Sequence, residues 1–347
     1  MARIAVLGAG AMGSALCTPL ADSGWDVRLW GTWLDDHLLD AVEAGQRHPR
    51  TKAPFAQGVR TFRSDELEEA TDGANVIVMS VASVGVPKVT EMALPAMQHA
   101  DAIWLTSKGF CPDEGGRIEL LPDALRRIAG QAGVTLPPMV AIAGPVKANE
   151  CAERKPTATI FGCRDGEVSL RYASQARTPV YAIDHTDDEV GVEVCAPMKN
   201  VYAIALGISD GLEEATGIPH HNLKAATFAR AVREMSLLGE ALGARPETAF
   251  GLPGVGDLEV TGLSGRNKVY GVRIGRGERA DDALAEMTRL EQTVEGVPAA
   301  SLAAQLVAQR APDLVGELRL LAAVNDIIGG AGDPATLVTQ AVLPPAP

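Results

Sequence analysis

The sequence predicts a parallel α/β domain over residues 1–185 followed by an all-helical domain over 186–342. Three observations carry this. Short apolar runs alternate with helical stretches through the first half, as in a sheet whose strands are buried on both faces. A strand runs straight into a glycine loop at the N-terminus. From residue 190 onward the pattern is almost wholly helical. With 347 residues, 46% of them hydrophobic and 22% charged, the chain has apolar material for two cores, which excludes wholesale disorder.

In order, the strands are expected at 3–8, 26–30, 75–81, 102–106, 139–143, 157–161 and 179–183. Helices are expected at 12–23, 34–44 and 113–129 between them. The acidic run at 184–189 breaks the pattern and offers Asp187 or Asp188 as a helix N-cap. Helices then follow at 190–212, 221–242, 281–286, 297–308 and 314–328, and a Pro/Ala tail closes the chain. The uncharged stretches 4–21 and 128–146 are not membrane segments, because glycines interrupt the first and prolines the second.

Residues 3–13 read R-I-A-V-L-G-A-G-A-M-G, a strand entering G-x-G-x-x-G with a helix behind it. Gly8 permits the tight turn, Gly10 lets the backbone approach a pyrophosphate, and Gly13 allows close helix–strand packing. The helix N-terminus supplies N–H groups and positive potential to phosphates, so the first domain is Rossmann-like and binds a dinucleotide. The second strand ends V-R-L-W-G-T-W with no carboxylate at its tip. Asp35 and Asp36 come late, and Thr32 suits a hydroxyl or a phosphate, so NAD and NADP both stay open.

Two loops leave strand ends where an open sheet binds ligands: T-S-K-G at 106–109, with Lys108, and A-G-P-V-K-A-N-E at 143–150. Lys199 lies in a helix whose apolar face is marked by Val194, Met198, Val201 and Ala205, so it should be largely buried, as a tuned general base requires. Residues 251–267 concentrate glycines with Asp257, Thr261, Arg266 and Asn267, and arginine suits bidentate phosphate binding.

Together these motifs resemble the NAD(P)-dependent glycerol-3-phosphate dehydrogenase family, in a compact G-R-N form similar to archaeal-type members. The matching pieces are GAGAMG at 8–13, TSKG at 106–109, AGP at 143–145, KNVYAIALG at 199–207, GLPGVGDLEVT at 251–261, GRN at 265–267 and TVEG at 293–296. They occur in order from residue 3 to about residue 325. The resemblance implies reversible hydride transfer between NAD(P)H and dihydroxyacetone phosphate, giving sn-glycerol 3-phosphate. It implies Lys199 as proton acceptor, with Lys108 beside substrate and nicotinamide keeping Lys199 partly deprotonated. Asp257 and Thr261 would orient the substrate, Arg266 and Asn267 would hold its phosphate, Asn200 would support Lys199, and Gly144 and Ala148 would line the substrate and cofactor loop. Gly8, Gly10, Ala11, Met12, Gly13, Thr32, Thr293 and Glu295 fall on the cofactor side, with Lys108 and Arg266 reaching it as well.

Three features depart from the family pattern. Val146 and Lys147 replace a serine and an aromatic, Pro197 should kink the helix that presents Lys199, and Asp257 and Arg266 are more closely spaced. Lys147 leaves a related phosphorylated ketose, such as a tetrulose phosphate, as the alternative substrate. A non-catalytic nucleotide sensor on the same fold is the third reading.

The formal charge of −13 argues against nucleic acid or an anionic membrane as partner. It does not exclude a phosphorylated small molecule, because Lys108, Lys147, Lys199 and Arg266 supply local positive charge. The surplus acid, as at 65–72 and 184–193, reads as solvated faces and caps. Five scattered cysteines without C-x-x-C fit a reducing cytoplasm, and a homodimer is the expected assembly. His220 and His221 have no third ligand at suitable spacing, so no metal is expected; Met92 and Met97 read as core filler.

Overall fold

In the computed structural model, which describes residues 1–343, the chain divides into two compact units. The first comprises Met1–Cys111 and Leu120–Glu193; the second comprises Pro112–Glu119 and the chain from Val194. The division falls within a helix, a little beyond residue 185. Most of the Pro/Ala tail lies outside the described residues.

The first unit runs β1 (Arg3–Leu7), α1 (Ala11–Asp22), β2 (Asp26–Trp30), α2 (Asp36–Glu43), β3 (Arg60–Phe62), α3 (Leu67–Thr71), β4 (Val76–Met79), α4 (Val86–Met97) and β5 (Ala102–Leu105). After the short pair β6 (Phe110–Pro112) and β7 (Ile118–Leu120) come α5 (Leu121–Gln131), β8 (Met139–Ala143), α6 (Ala148–Ala152), β9 (Thr157–Gly162), α7 (Gly166–Ala176) and β10 (Tyr181–Thr186). The sheet order is β10-β9-β8-β5-β4-β1-β2-β3. Six strands are parallel, while β9 pairs antiparallel with β8 and parallel with β10, so one edge of the parallel sheet reverses direction. The order reverses between β1 and β4, the switch point at which open α/β sheets bind ligands.

Alternate residues of the central strands enter two separate cores. Ile4, Val6, Val76 and Val78 face one; Ala5, Leu7, Ile77 and Met79 face the other. Trp104 of β5 anchors the first core, with Trp25, Phe161 and Tyr172 edge-on at centroid distances of 5.9, 4.9 and 5.3 Å. Met97 is buried in the second, and Met92 packs against it.

The helix expected at 113–129 begins only at Leu121, with Pro122 in its first turn. Residues 110–120 form the β6–β7 pair instead. Asp113 explains the difference, because its carboxylate accepts from the N–H groups of Gly115 and Arg117 and folds the segment back as a turn.

The helix α8 (Glu189–Thr216) continues through Pro197, so the proline does not end it. It leads into α9 (His221–Ala241), α10 (Pro246–Phe250), α11 (Asp257–Ser264), α12 (Arg266–Gly275), α13 (Ala280–Arg289), α14 (Gly296–Arg310), α15 (Arg319–Ile328) and α16 (Pro334–Val342). The helix expected from 314 starts at Arg319, after a 3₁₀ turn at Pro312–Leu314. Within the second unit, α8 and α12 cross backbone against backbone. A Cβ at Gly207 would stand 2.1 Å from the Lys268 carbonyl oxygen, and one at Gly271 would stand 2.0 Å from that of Ile204. Gly211 and Gly275, one turn on, repeat the contact. Glycine at four-residue spacing on both helices is what permits this approach.

Candidate functional site

The glycine loop follows β1 directly. Gly8 has φ +113°, and a Cβ on Gly13 would lie 2.0 Å from the Gly8 carbonyl oxygen, so neither position admits a side chain. A Cβ on Gly10 would meet nothing within 4 Å. Gly10 precedes α1 without a side-chain cap, and α1 has no acidic residue in its first turn. The amides of Ala11 and Met12 therefore begin an uncapped, electropositive helix end, which fits a pyrophosphate.

Thr32 is buried beyond the end of β2. Asp35, which the sequence placed too late to matter, turns back onto it. Its Oδ2 accepts from the Thr32 amide and hydroxyl, both at 2.9 Å, and from the Ala9 amide at 3.3 Å. The signal was Asp three residues after Thr32, just ahead of a helix.

Thr106 and Ser107 fix the segment that carries Lys108. The Thr106 hydroxyl donates to Ser80 Oγ at 2.8 Å and that of Ser107 to the Val81 carbonyl at 2.6 Å. Gly109 passes so close to Ser83 that a Cβ would lie 2.3 Å from it. Gly144 has φ +140°, with the Thr159 Cα 2.9 Å from where a Cβ would be. Ala148 begins α6, and Lys147 before it stands 3.8 Å from Glu150.

In the second unit Lys199 is 8% exposed, and not because of one apolar face: α8 is buried on every side from residue 191 to 209. Its Nζ donates to Asp257 Oδ1 at 2.9 Å and to Thr261 Oγ1 at 2.7 Å. Asp257, 1% exposed, opens α11 after a π-type turn at Leu252–Gly256. That turn brings Asp257 and Thr261, one helical turn apart, to the same ammonium. The carboxylate stabilises the charged amine, which is the form that gives up a proton.

Beside this pair, Asn267 Nδ2 donates to Asn200 Oδ1 at 3.0 Å, and Asn267 Oδ1 accepts from the Gly296 amide at 2.8 Å. Asn200 Nδ2 donates to Glu295 Oε2 at 3.3 Å, and Arg266 Nη2 stands 3.8 Å from Glu295 Oε1. Lys199, Asn200, Asp257, Thr261, Arg266, Asn267 and Glu295 thus converge, while Thr293 is exposed just ahead of α14. Arg266 and Asn267 form the first turn of α12, a second helix start without an acid.

The acidic run 184–193 is not simply a solvated face. Asp188 caps α8, its Oδ1 accepting from the Gly191 amide at 2.9 Å. Glu189 is buried but neutralised: Arg126 Nη2 donates to both of its oxygens, at 2.9 and 2.8 Å, and Arg164 Nε lies 3.0 Å away. Glu193, one turn on and 2% exposed, lacks such a partner; its Oε2 accepts no hydrogen bond among the described residues. Burial first, then Glu189 and Asp123, push its carboxyl well above the usual range, against opposition from Lys108 and Arg126.

Because the folded-state value is raised, the stability from neutral Glu193 is complete below the unfolded value and lost as pH rises through the folded one. Glu193→Gln, a mimic of the protonated acid, should therefore gain in melting temperature over wild type between about pH 5 and about pH 8. Melting curves at both pH values check this, and an unchanged difference would contradict it.

The five cysteines are buried free thiols, and burial pushes Cys17 well up and Cys151 up to about 12. His221 is exposed at the start of α9, 3.8 Å from Glu213. Among the described residues no group of three or more His, Cys, Asp or Glu is placed to hold a metal ion. No helix there is long and apolar enough to cross a membrane.

Comparison with known proteins bears on both units. Residues 3–169 match the NAD-dependent glycerol-3-phosphate dehydrogenase N-terminus and residues 188–339 match its C-terminus. The NADP(+)-dependent glycerol-3-phosphate dehydrogenase of Archaeoglobus fulgidus is 36% identical over 286 residues, 82% of this chain and 84% of that protein. Glycerol-3-phosphate dehydrogenase [NAD(P)+] of Geobacillus kaustophilus is 34% identical over 342 residues, 96% of this chain and 92% of that one. The crystal structure of glycerol-3-phosphate dehydrogenase from Coxiella burnetii superposes with TM-score 0.82 at 29% identity, covering 98% of both chains. The chain belongs to the NAD-dependent glycerol-3-phosphate dehydrogenase family.

Proposed function

We propose that the protein interconverts sn-glycerol 3-phosphate and dihydroxyacetone phosphate, with NAD or NADP as the redox partner. The observation that carries the reading is the buried Lys199 ammonium, held by Asp257 and Thr261 beside the start of α12. Bound nicotinamide supplies the hydride in reduction and takes it back in oxidation. Lys199 gives a proton to the ketone oxygen in reduction and removes it from the hydroxyl in oxidation. Asp257 and Thr261 hold the amine in place, and Asn200 sets its neighbour Asn267. Arg266, Asn267 and the free amides at the start of α12 bind the substrate phosphate. Lys108 and Gly144 contribute to substrate binding. The amides after Gly10, with Gly8, Gly13, Thr32, Ala148, Thr293 and Glu295, serve the cofactor. A cytoplasmic location and a homodimer belong to the same proposal.

Steady-state reduction of dihydroxyacetone phosphate, measured with NADH and with NADPH beside a panel of phosphorylated ketoses, tests it. Turnover of a tetrulose phosphate with negligible turnover of dihydroxyacetone phosphate would overturn the substrate. Arg266→Ala should raise KM for dihydroxyacetone phosphate roughly 10- to 100-fold, as expected for a charged hydrogen bond worth about 1.5–3 kcal/mol.

A further inference from the structure

The segment between α2 and β3 contains neither helix nor strand, yet His48 within it is 2% exposed. Both ring nitrogens of His48 are engaged. Nδ1 accepts from the backbone amides of Arg50 and Thr51, each at 3.3 Å. Two N–H groups aimed at Nδ1 leave the ring proton on Nε2. Nε2 lies 3.0 Å from the Ala9 carbonyl oxygen and 3.0 Å from Ser14 Oγ, and the Ser14 hydroxyl itself donates to that carbonyl at 3.0 Å. On the other side of the same residue, the Ala9 amide donates to Asp35. The peptide groups flanking Ala9, between the first two glycines of the loop, are thus clamped from two directions.

We propose that His48 is a positioning residue for the cofactor: as its neutral Nε2–H tautomer it fixes the Ala9 carbonyl, and so aims the Gly10–Met12 amides at the pyrophosphate. The inference rests on the dinucleotide reading of that loop. A second proton on the ring would sit on Nδ1, against the Arg50 and Thr51 amides, and would break the anchor that joins the 44–59 segment to the loop. Burial, with Arg50 and His37, holds the ring below the ordinary imidazole range, against the Ala9 hydrogen bond and Asp35. The anchored form therefore prevails at neutral pH, and cofactor affinity falls as pH drops through that lowered value.

The test is NADH binding to the intact protein, read by fluorescence across about pH 5 to about pH 8, with far-UV dichroism confirming the fold at each point. NADH avoids the titrating 2′-phosphate of NADPH. The wild-type Kd should rise about tenfold per pH unit below the folded value. His48→Gln, whose amide N–H reaches toward Ala9 but does not titrate, should bind NADH with a flat pH profile. His48→Asn, too short to reach Ala9, should bind NADH about tenfold or more weakly at neutral pH, as loss of a buried hydrogen bond implies. Nitrogen NMR of the unaltered protein should show the Nε2–H tautomer, a readout that needs no variant. An Nδ1–H signal, wild-type affinity in His48→Asn, or the wild-type pH curve in His48→Gln would each overturn the inference alone. Failure of the wild type to bind either NADH or NADPH would overturn the cofactor reading and this inference with it.

Discussion

Replacing Lys199 with alanine should lower kcat for dihydroxyacetone phosphate reduction by about 10²- to 10⁴-fold, the range for a lost general acid. NADH affinity measured alongside separates a loss of chemistry from a loss of cofactor binding. The same change removes the counter-ion of Asp257, which is 1% exposed. An uncompensated buried carboxylate costs about 3–5 kcal/mol, so Lys199→Ala should also melt at lower temperature. A double variant separates the two effects. Lys199→Met with Asp257→Asn removes both charges and keeps the volume, so it should recover most of the lost stability and none of the activity. Recovery of turnover in that variant would exclude Lys199 as the proton carrier.

The second large effect is expected far from any polar group. Gly271→Val would place a Cβ 2.0 Å from the Ile204 carbonyl oxygen, and backbone there cannot rotate away as a side chain can. Overpacking of this kind costs about 1–3 kcal/mol, and a backbone clash belongs at or above the upper end. In a unit of this size that lowers the melting temperature by about 2–4 °C for each kcal/mol. The variant should also lose activity at temperatures where it remains folded. Separating α12 from α8 moves Asn267 from Asn200 and changes the place of Arg266 relative to Lys199. Calorimetry with parallel KM and kcat measurements checks both parts. Gly217→Ala, at a turn where a Cβ meets nothing, is the control that should leave activity alone, although φ +68° there will cost some stability.

The central strands were legible because they are buried on both faces and so read as continuous apolar runs between turn signals. β3 was not, since a three-residue edge strand carries almost no pattern. α10, α11 and α12 were hidden by the glycines and proline at 251–256, whose low helix propensity masks a π-type turn leading into two helices. The site was legible as residue types and not as contacts. Lys199, Asp257 and Thr261 were all picked out, but nothing in their spacing told that Asp257 and Thr261 both meet the Lys199 ammonium. Asp35 was noted only as lying late after the second strand, and His48 and Glu193 were not singled out, because the role of each depends on where more distant groups lie. A lone histidine in an irregular segment has no periodicity to betray it, and an acid inside an acidic run looks like its neighbours until burial separates them.

The glycine crossing also sets when the protein becomes competent during synthesis. Gly207 and Gly211 leave the ribosome before Gly271 and Gly275, with α9, α10 and α11 in between. The contact is non-local and must wait for that long loop to close. Lys199 is synthesised earlier still, but its partners Asp257 and Thr261 follow only after α10. A nascent chain ending before α12 holds the lysine without the register that aligns it, so activity should appear late and abruptly, after the dinucleotide loop has already formed.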